Sequence, residues 1–226
     1  MSHPVSLATR IDHTLLRPDA TEAHIVQLCE EARAHGFATV CVPPCYVALA
    51  TEKLADSGVG ICTVVGFPLG YASSTIKFKE AEAALYDGAT ELDMVINISA
   101  LKSGKADAVQ AEILDLADLC HVHQAQLKVI IETALLSSEE IVLACQLCVA
   151  GEADFVKTST GFASRGASIE DVRLMRQHLP ETVRIKAAGG IRTREAALAL
   201  VEAGADRIGS SNSMALIAEE NEPTAA

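Results

Sequence analysis

Short apolar runs alternate along this chain with longer segments whose apolar positions recur at helical spacing. The short runs are TRIDHTL, ATVCVP, GICTVVGF, ELDMVIN, LKVIIET, DFVKTS, VRIKAAG and DRIGSS, eight in all. TEAHIVQLCEEARAHG and STIKFKEAEAALYDG, which lie between such runs, read as amphipathic helices. Ser137 with Glu140 reads as a capping box, and so does Ser168 with Asp171, where Asp takes the place of the usual Glu. Gly36, Gly58, Gly88, Gly151 and Gly204 each follow a helical pattern, where glycine tolerates the left-handed conformation that stops a helix. The junctions GATELDMV, GEADFVKT and GADRIGSS look alike, which an ancestral repeat and a shared loop geometry explain equally well. Strands alternating with helices imply parallel pairing through right-handed crossovers. Eight such units predict a (β/α)8 TIM barrel in one domain over residues 1–226, with a short tail from about 219. A doubly wound open sheet requires a phosphate fingerprint after its first strand, and RIDHTLLRP supplies none.

Alternate strand residues share a face, so polar positions inside these runs identify the inner wall. Lys157 shares its face with Phe155 and Ser159, and Lys186 with Arg184 and Ala188. Glu91, Asp93 and Asn97 form the polar set of ELDMVIN; Lys128, Ile130 and Glu132 form one face of LKVIIET. In the first run Asp12 and Thr14 are expected inside, while His13 either orients the site or is a satisfied core histidine. Cys41 is a candidate ligand contact or a buried structural thiol. One reading of the lysines is a structural layer neutralised by Asp93 and Glu132. Against it, Lys157 and Lys186 fall on neighbouring strands, where two cations repel. A neighbouring cation and desolvation both lower a lysine pKa and so generate a neutral amine nucleophile. The pair therefore reads as one attacking and one tuning lysine, with Asp93 as general acid and base. Which lysine attacks is left open by this argument. Lys53, Lys77, Lys79, Lys102 and Lys105 are expected on solvated faces.

AAGGIR follows the seventh run, and GSSNSMALI follows the eighth and opens a short helix. Loops after strands seven and eight form the recurrent phosphate site of such barrels. Gly189, Gly190 and Gly209 permit close backbone approach, and Ser210 and Ser211 add hydroxyls; Thr158 and Gly161 are further candidate substrate contacts.

Composition narrows the class. Half of the 226 residues are hydrophobic, enough for a large core, and the formal net charge is −12. That acidity and the lack of a basic cluster argue against nucleic acid. ICTVVGFPLGYA, the most apolar run, falls short of the roughly 18 residues needed to span a bilayer. No signal peptide is recognised at the start, and the seven cysteines follow no disulfide framework, so a cytoplasmic location is expected. Cys145 and Cys148, and the cluster Cys120, His121 and His123, lack a second half at metal spacing; no metal or cofactor is expected.

DHTLL, VCVPP, GFPLG, ELDMVIN, LKVIIET, DFVKTSTGF, IKAAGGIR and RIGSS, in order from Ile11 to Ser211, together resemble the deoxyribose-phosphate aldolase family. The resemblance implies a metal-free class I aldolase on a (β/α)8 barrel, acting in deoxyribose phosphate catabolism and tending to form a homodimer or larger homo-oligomer. It implies reversible cleavage of a phosphorylated sugar, 2-deoxyribose 5-phosphate, to two aldehydes, with Lys157 as the Schiff-base residue. It further implies Lys186 as the lysine that tunes it and Asp93 as proton donor and acceptor. Two departures stand out. Phe162 follows TSTG where some members have a phosphate-holding lysine, which shifts that task to backbone groups and Arg192. The chain also ends in AEENEPTAA, without the terminal tyrosine of some members.

Overall fold

The computed structural model describes residues 6–218, and the tail expected from about 219 lies outside them. Eight strands run β1 (Ile11–Thr14), β2 (Thr39–Val42), β3 (Gly60–Val65), β4 (Glu91–Val95), β5 (Gln126–Ile130), β6 (Phe155–Lys157), β7 (Arg184–Ala188) and β8 (Arg207–Ser210). All neighbours are parallel, and β8 pairs back onto β1 to close the barrel. Around it lie α1 (Glu22–His35), α2 (Val47–Lys53), α3 (Ser74–Tyr86), α4 (Ile98–Lys102), α5 (Ala106–Val122) and α6 (Ser138–Ala150). The outer ring is completed by α7 (Ile169–His178), α8 (Arg194–Glu202) and the short α9 (Ser213–Ile217). The expected (β/α)8 architecture is the one found. Among the described residues, no helix is long and apolar enough to cross a membrane.

The apolar core is the annulus between strands and helices: Leu92, Met94, Leu127, Val129 and Ile185 face outward from their strands and are fully buried there. The inner wall is polar instead. His13 belongs to the outer face, with Nε2 2.8 Å from Glu31 Oε2 and Nδ1 2.9 Å from Ser213 Oγ, and is a satisfied core histidine.

Several local expectations change. Gly36, Gly58, Gly88 and Gly204 have the positive φ of a helix stop, but Gly151 has φ −93° and Glu152 takes the left-handed position at 59°. Gly151 is needed for space, since a Cβ there would lie 2.6 Å from Ile113 Cγ2. Ser137 and Glu140 form the full capping box, whereas Ser168 makes only the forward bond and Asp171 turns to Arg165. Asn97 leaves the inner wall and caps α4, accepting from the Ala100 N–H at 3.0 Å. Lys77 is not on a solvated face. It is fully buried, with Nζ 2.8 Å from Glu112 Oε2 and 2.7 Å from the Val95 carbonyl.

Candidate active site

Strand register assembles the site. Lys157 stands opposite Lys186 in the β6–β7 ladder, and Asp93 stands opposite Lys128 in β4–β5. Pointing inward, these side chains meet on the barrel axis. Asp93 Oδ2 accepts from both Lys157 Nζ and Lys186 Nζ at 2.7 Å, and Oδ1 accepts from Lys128 Nζ at 2.9 Å. The Cys62 thiol donates to the same Oδ1 at 3.1 Å. Below this level Asp12 pairs with Lys186 and Arg207, and Glu91 pairs with Lys128 and Arg207. The Phe155 ring closes the floor, with the Arg184 guanidinium 3.9 Å from its centroid.

Charges this deep persist only when paired. Burial alone would raise the Asp93 pKa, but Lys128, Lys157 and Lys186 outweigh it and hold the carboxyl well below its usual range. Asp12 follows the same logic: burial opposes ionisation, and Lys186, Lys128 and Arg207 override it. The expected lowering of the Lys186 pKa is not found. Burial does push it down, but the carboxylates of Asp12 and Asp93 push harder, so Lys186 is held protonated above the ordinary lysine range. Glu132 also departs from expectation. Its φ of 54° turns it off the β5 face, and its carboxylate accepts from Thr160 N at 3.1 Å and from the Thr160 hydroxyl instead of meeting a lysine.

A cleft of about 380 Å³ opens above the network at the C-terminal ends of the strands. Lys157 lines it, as do Gly161, Gly189, Gly190, Gly209, Ser210 and Ser211. Asp93, Lys186 and Asp12 lie beneath, so Lys157 is the member of the network that the cleft reaches. Cys41 is also sealed below, packed with Cys62 and Val64. Thr158 does not face the cleft; its hydroxyl donates to the Ala188 carbonyl at 3.3 Å and accepts from the Ala188 N–H at 3.1 Å, tying β6 to β7. Ser210 is committed as well, donating to the Ile191 carbonyl and accepting from Asn212 N, both at 3.0 Å. Gly189 and Gly190 have φ of 89° and 75°, and Gly166 and Gly189 pack so closely that a Cβ at Gly166 would lie 2.0 Å from the Gly189 oxygen.

Residue alternation did not single out Arg207, although it shares the inward face of β8 with Gly209. Cys41, Cys62 and Asp93 bring donor atoms within 4.8 Å of one another, as do Asp12, Cys62 and Glu91. A cation there would have to displace the lysine ammoniums already holding those carboxylates. Cys145 and Cys148 are buried, and burial pushes the Cys145 thiol up to about 12.

Fold and site define a barrel enzyme that presents a buried lysine to a cleft lined by glycine loops and by Arg17 and Arg192. Comparison with known proteins narrows the class. The profile of the DeoC/LacD family aldolases matches residues 7–215. The deoxyribose-phosphate aldolase of Caldanaerobacter subterraneus subsp. tengcongensis is 51% identical over 95% of this chain and 94% of its own length. That of Desulfitobacterium hafniense is 50% identical over 94% of this chain and 98% of its own. Among solved structures, the tetrameric deoxyribose phosphate aldolase from Aeropyrum pernix superposes with a TM-score of 0.90 at 36% identity, covering 96% of this chain and 91% of that one. The chain belongs to the DeoC/LacD aldolase family.

Proposed function

We propose that the chain is a class I aldolase that reversibly cleaves 2-deoxy-D-ribose 5-phosphate to acetaldehyde and D-glyceraldehyde 3-phosphate. The observation that carries the reading is Lys157: its amine lines the cleft while hydrogen-bonding the carboxylate oxygen that Lys186 also holds. About 50% identity to deoxyribose-phosphate aldolases over nearly the whole chain supports the substrate.

Lys157 gives up a proton and attacks the C1 aldehyde of the open-chain sugar, and loss of water leaves an iminium. The iminium withdraws electrons as the C2–C3 bond breaks and the C3 hydroxyl loses its proton to become the aldehyde of the leaving fragment. Asp93 accepts and returns these protons, and Lys186, held as an ammonium, is the fixed cation that keeps Asp93 ionised between transfers. Glyceraldehyde 3-phosphate leaves, the enamine is protonated, and hydrolysis frees acetaldehyde and Lys157. The phosphate sits at Gly189, Gly190, Gly209 and Ser211 with the other end of the sugar at Lys157, all on one cleft. Binding energy realised there orients the distant bond, so its loss lowers turnover as well as affinity. The reaction takes place in the cytoplasm, and the working unit is a homodimer or larger homo-oligomer, as the tetrameric Aeropyrum relative suggests.

Incubation with 2-deoxyribose 5-phosphate, with both products quantified, tests the activity. Equal release of the two aldehydes, lost in Lys157→Ala, is expected. A protein that binds the sugar phosphate and releases neither product would contradict the proposal.

A further inference from the structure

The phosphate end of the cleft poses a charge problem. Phe162 occupies the position after TSTG, is 56% exposed, and stacks edge-on against Phe67 at 5.3 Å, so loop six brings an aromatic lip to the cleft, while its cation, Arg165, is paired with Asp171 and the Thr133 carbonyl. The Ser210 hydroxyl is already committed to Ile191 and Asn212. A phosphate dianion held by backbone N–H groups alone would face a chain of net charge −12. Besides Lys157, which is taken up by the chemistry proposed above, the cationic residues lining the cleft are Arg192 and Arg17.

Barrel closure explains why Arg17 is there. β1 pairs with β8, with His13 opposite Ser210, so the loop leaving β1 runs beside the loop that carries Ser210 and Ser211. Leu15 and Leu16 of that loop line the cleft wall, and Pro18 follows Arg17. The guanidinium has two side-chain partners on its own segment: Nη1 donates to Asp19 Oδ2 at 2.7 Å, and Nη2 lies 2.9 Å from His24 Nδ1. His24 is itself fixed in the N-terminal capping box of α1, where its Nδ1 accepts from Thr21 N at 3.1 Å. The Arg17 side chain is 44% exposed and that of Asp19 74%. Exposed pairs of this kind contribute little, so exchanging one carboxylate for a phosphate costs little. A guanidinium also offers a planar fork that fits phosphate oxygens two at a time.

We propose that Arg17 is a specificity-determining residue that grips the substrate phosphate across the cleft from Gly189 and Gly190, supplying the charge that loop six does not bring to the cleft, with Asp19 as its resting counter-ion. The proposal rests on the aldolase reading for the substrate but not for the anion site. It predicts discrimination by Arg17 between phosphorylated and unphosphorylated 2-deoxyribose.

The test compares wild type, Arg17→Gln, Arg17→Lys and Asp19→Asn on both sugars, with inorganic phosphate as the competing anion. In Arg17→Gln the ratio of kcat/KM for phosphorylated over unphosphorylated sugar should fall about 10- to 100-fold, the range expected for losing hydrogen bonds to a charged group. The inhibition constant for inorganic phosphate should rise in step, and Arg17→Lys should restore part of both. Asp19→Asn, which frees the guanidinium, should tighten phosphate inhibition. An equal loss on both sugars, or an unchanged ratio, would overturn the proposal and leave Arg17 a brace of the β1 loop. If wild type turns over neither sugar, the aldolase reading fails separately. Calorimetric binding of inorganic phosphate to wild type and Arg17→Gln then decides on Arg17 alone, with equal affinities overturning it.

Discussion

Asp93 receives three lysine ammoniums on its two oxygens, and that crowding sets the chemistry of its neighbours. Asparagine at this position would keep the shape but lose the charge, leaving three buried cations without their shared counter-ion. Asp93→Asn should lower kcat about 10²- to 10⁴-fold, the range for a lost general acid–base. It should also lower the melting temperature, and steady-state kinetics with a thermal scan would check both; wild-type turnover in the variant would remove Asp93 from the scheme. Strand alternation was enough to place Lys157, Lys186 and Asp93 on the inner wall. It gave the wrong direction for Lys186, because the deciding carboxylate, Asp12, comes from β1, and only closure of the barrel brings it alongside β7. Glu132 was misplaced for a different reason. Its left-handed backbone breaks the two-residue period two residues beyond the end of β5, and no residue-type signal marks that break.

Among the elements, α3 carries the clearest misreading. Lys77 lies one turn before Ala81 and two before Ala84 and Leu85, so it sits on the stripe that faces the barrel. Helical spacing marks the position as buried while residue type marks it as solvated, and burial wins because Glu112 supplies the opposite charge. The Lys77 ammonium pairs with Glu112 of α5 and reaches the Val95 carbonyl at the end of β4, two residues from Asp93. Removing one member of a buried pair strands the other. Lys77→Met should destabilise the fold by about 3–5 kcal/mol, whereas Lys77→Met combined with Glu112→Leu should recover much of the loss. Chemical denaturation of the single and double variants would measure this; a double variant no better than the single would show that the Val95 contact, not the ion pair, matters. Helix stops were mostly legible as glycines. Gly151 was not, because its role is clearance from Ile113 rather than a left-handed turn.

At the scale of the whole molecule, eight alternations of strand and helix pattern sufficed to predict the barrel, since parallel strands with helical crossovers leave few other closed solutions. Alternation conveyed a polar inner wall, but not that Asp12 and Arg207 link it into one ionic network, and this has a consequence for stability. Asp12 and Asp93 have folded pKa values below those of the unfolded chain, so their contribution is present above about pH 4 and is lost as pH falls through that point toward their folded values. Lys128 and Lys186 have raised values, so theirs is complete below about pH 10 and is lost only as pH rises through their folded values. The melting temperature should therefore form a plateau between about pH 5 and 9 and drop steeply on the acid side. A steady rise in stability from pH 7 down to pH 3 would show that the network does not hold the barrel as described. The chemistry itself is tested by reducing the protein with borohydride in the presence of acetaldehyde and mapping the modified peptide by mass spectrometry. An adduct on Lys157, absent in Lys157→Ala, is the predicted result. An adduct confined to Lys186, or none at all in a protein that still binds the sugar phosphate, would contradict Lys157 as the amine that forms the imine.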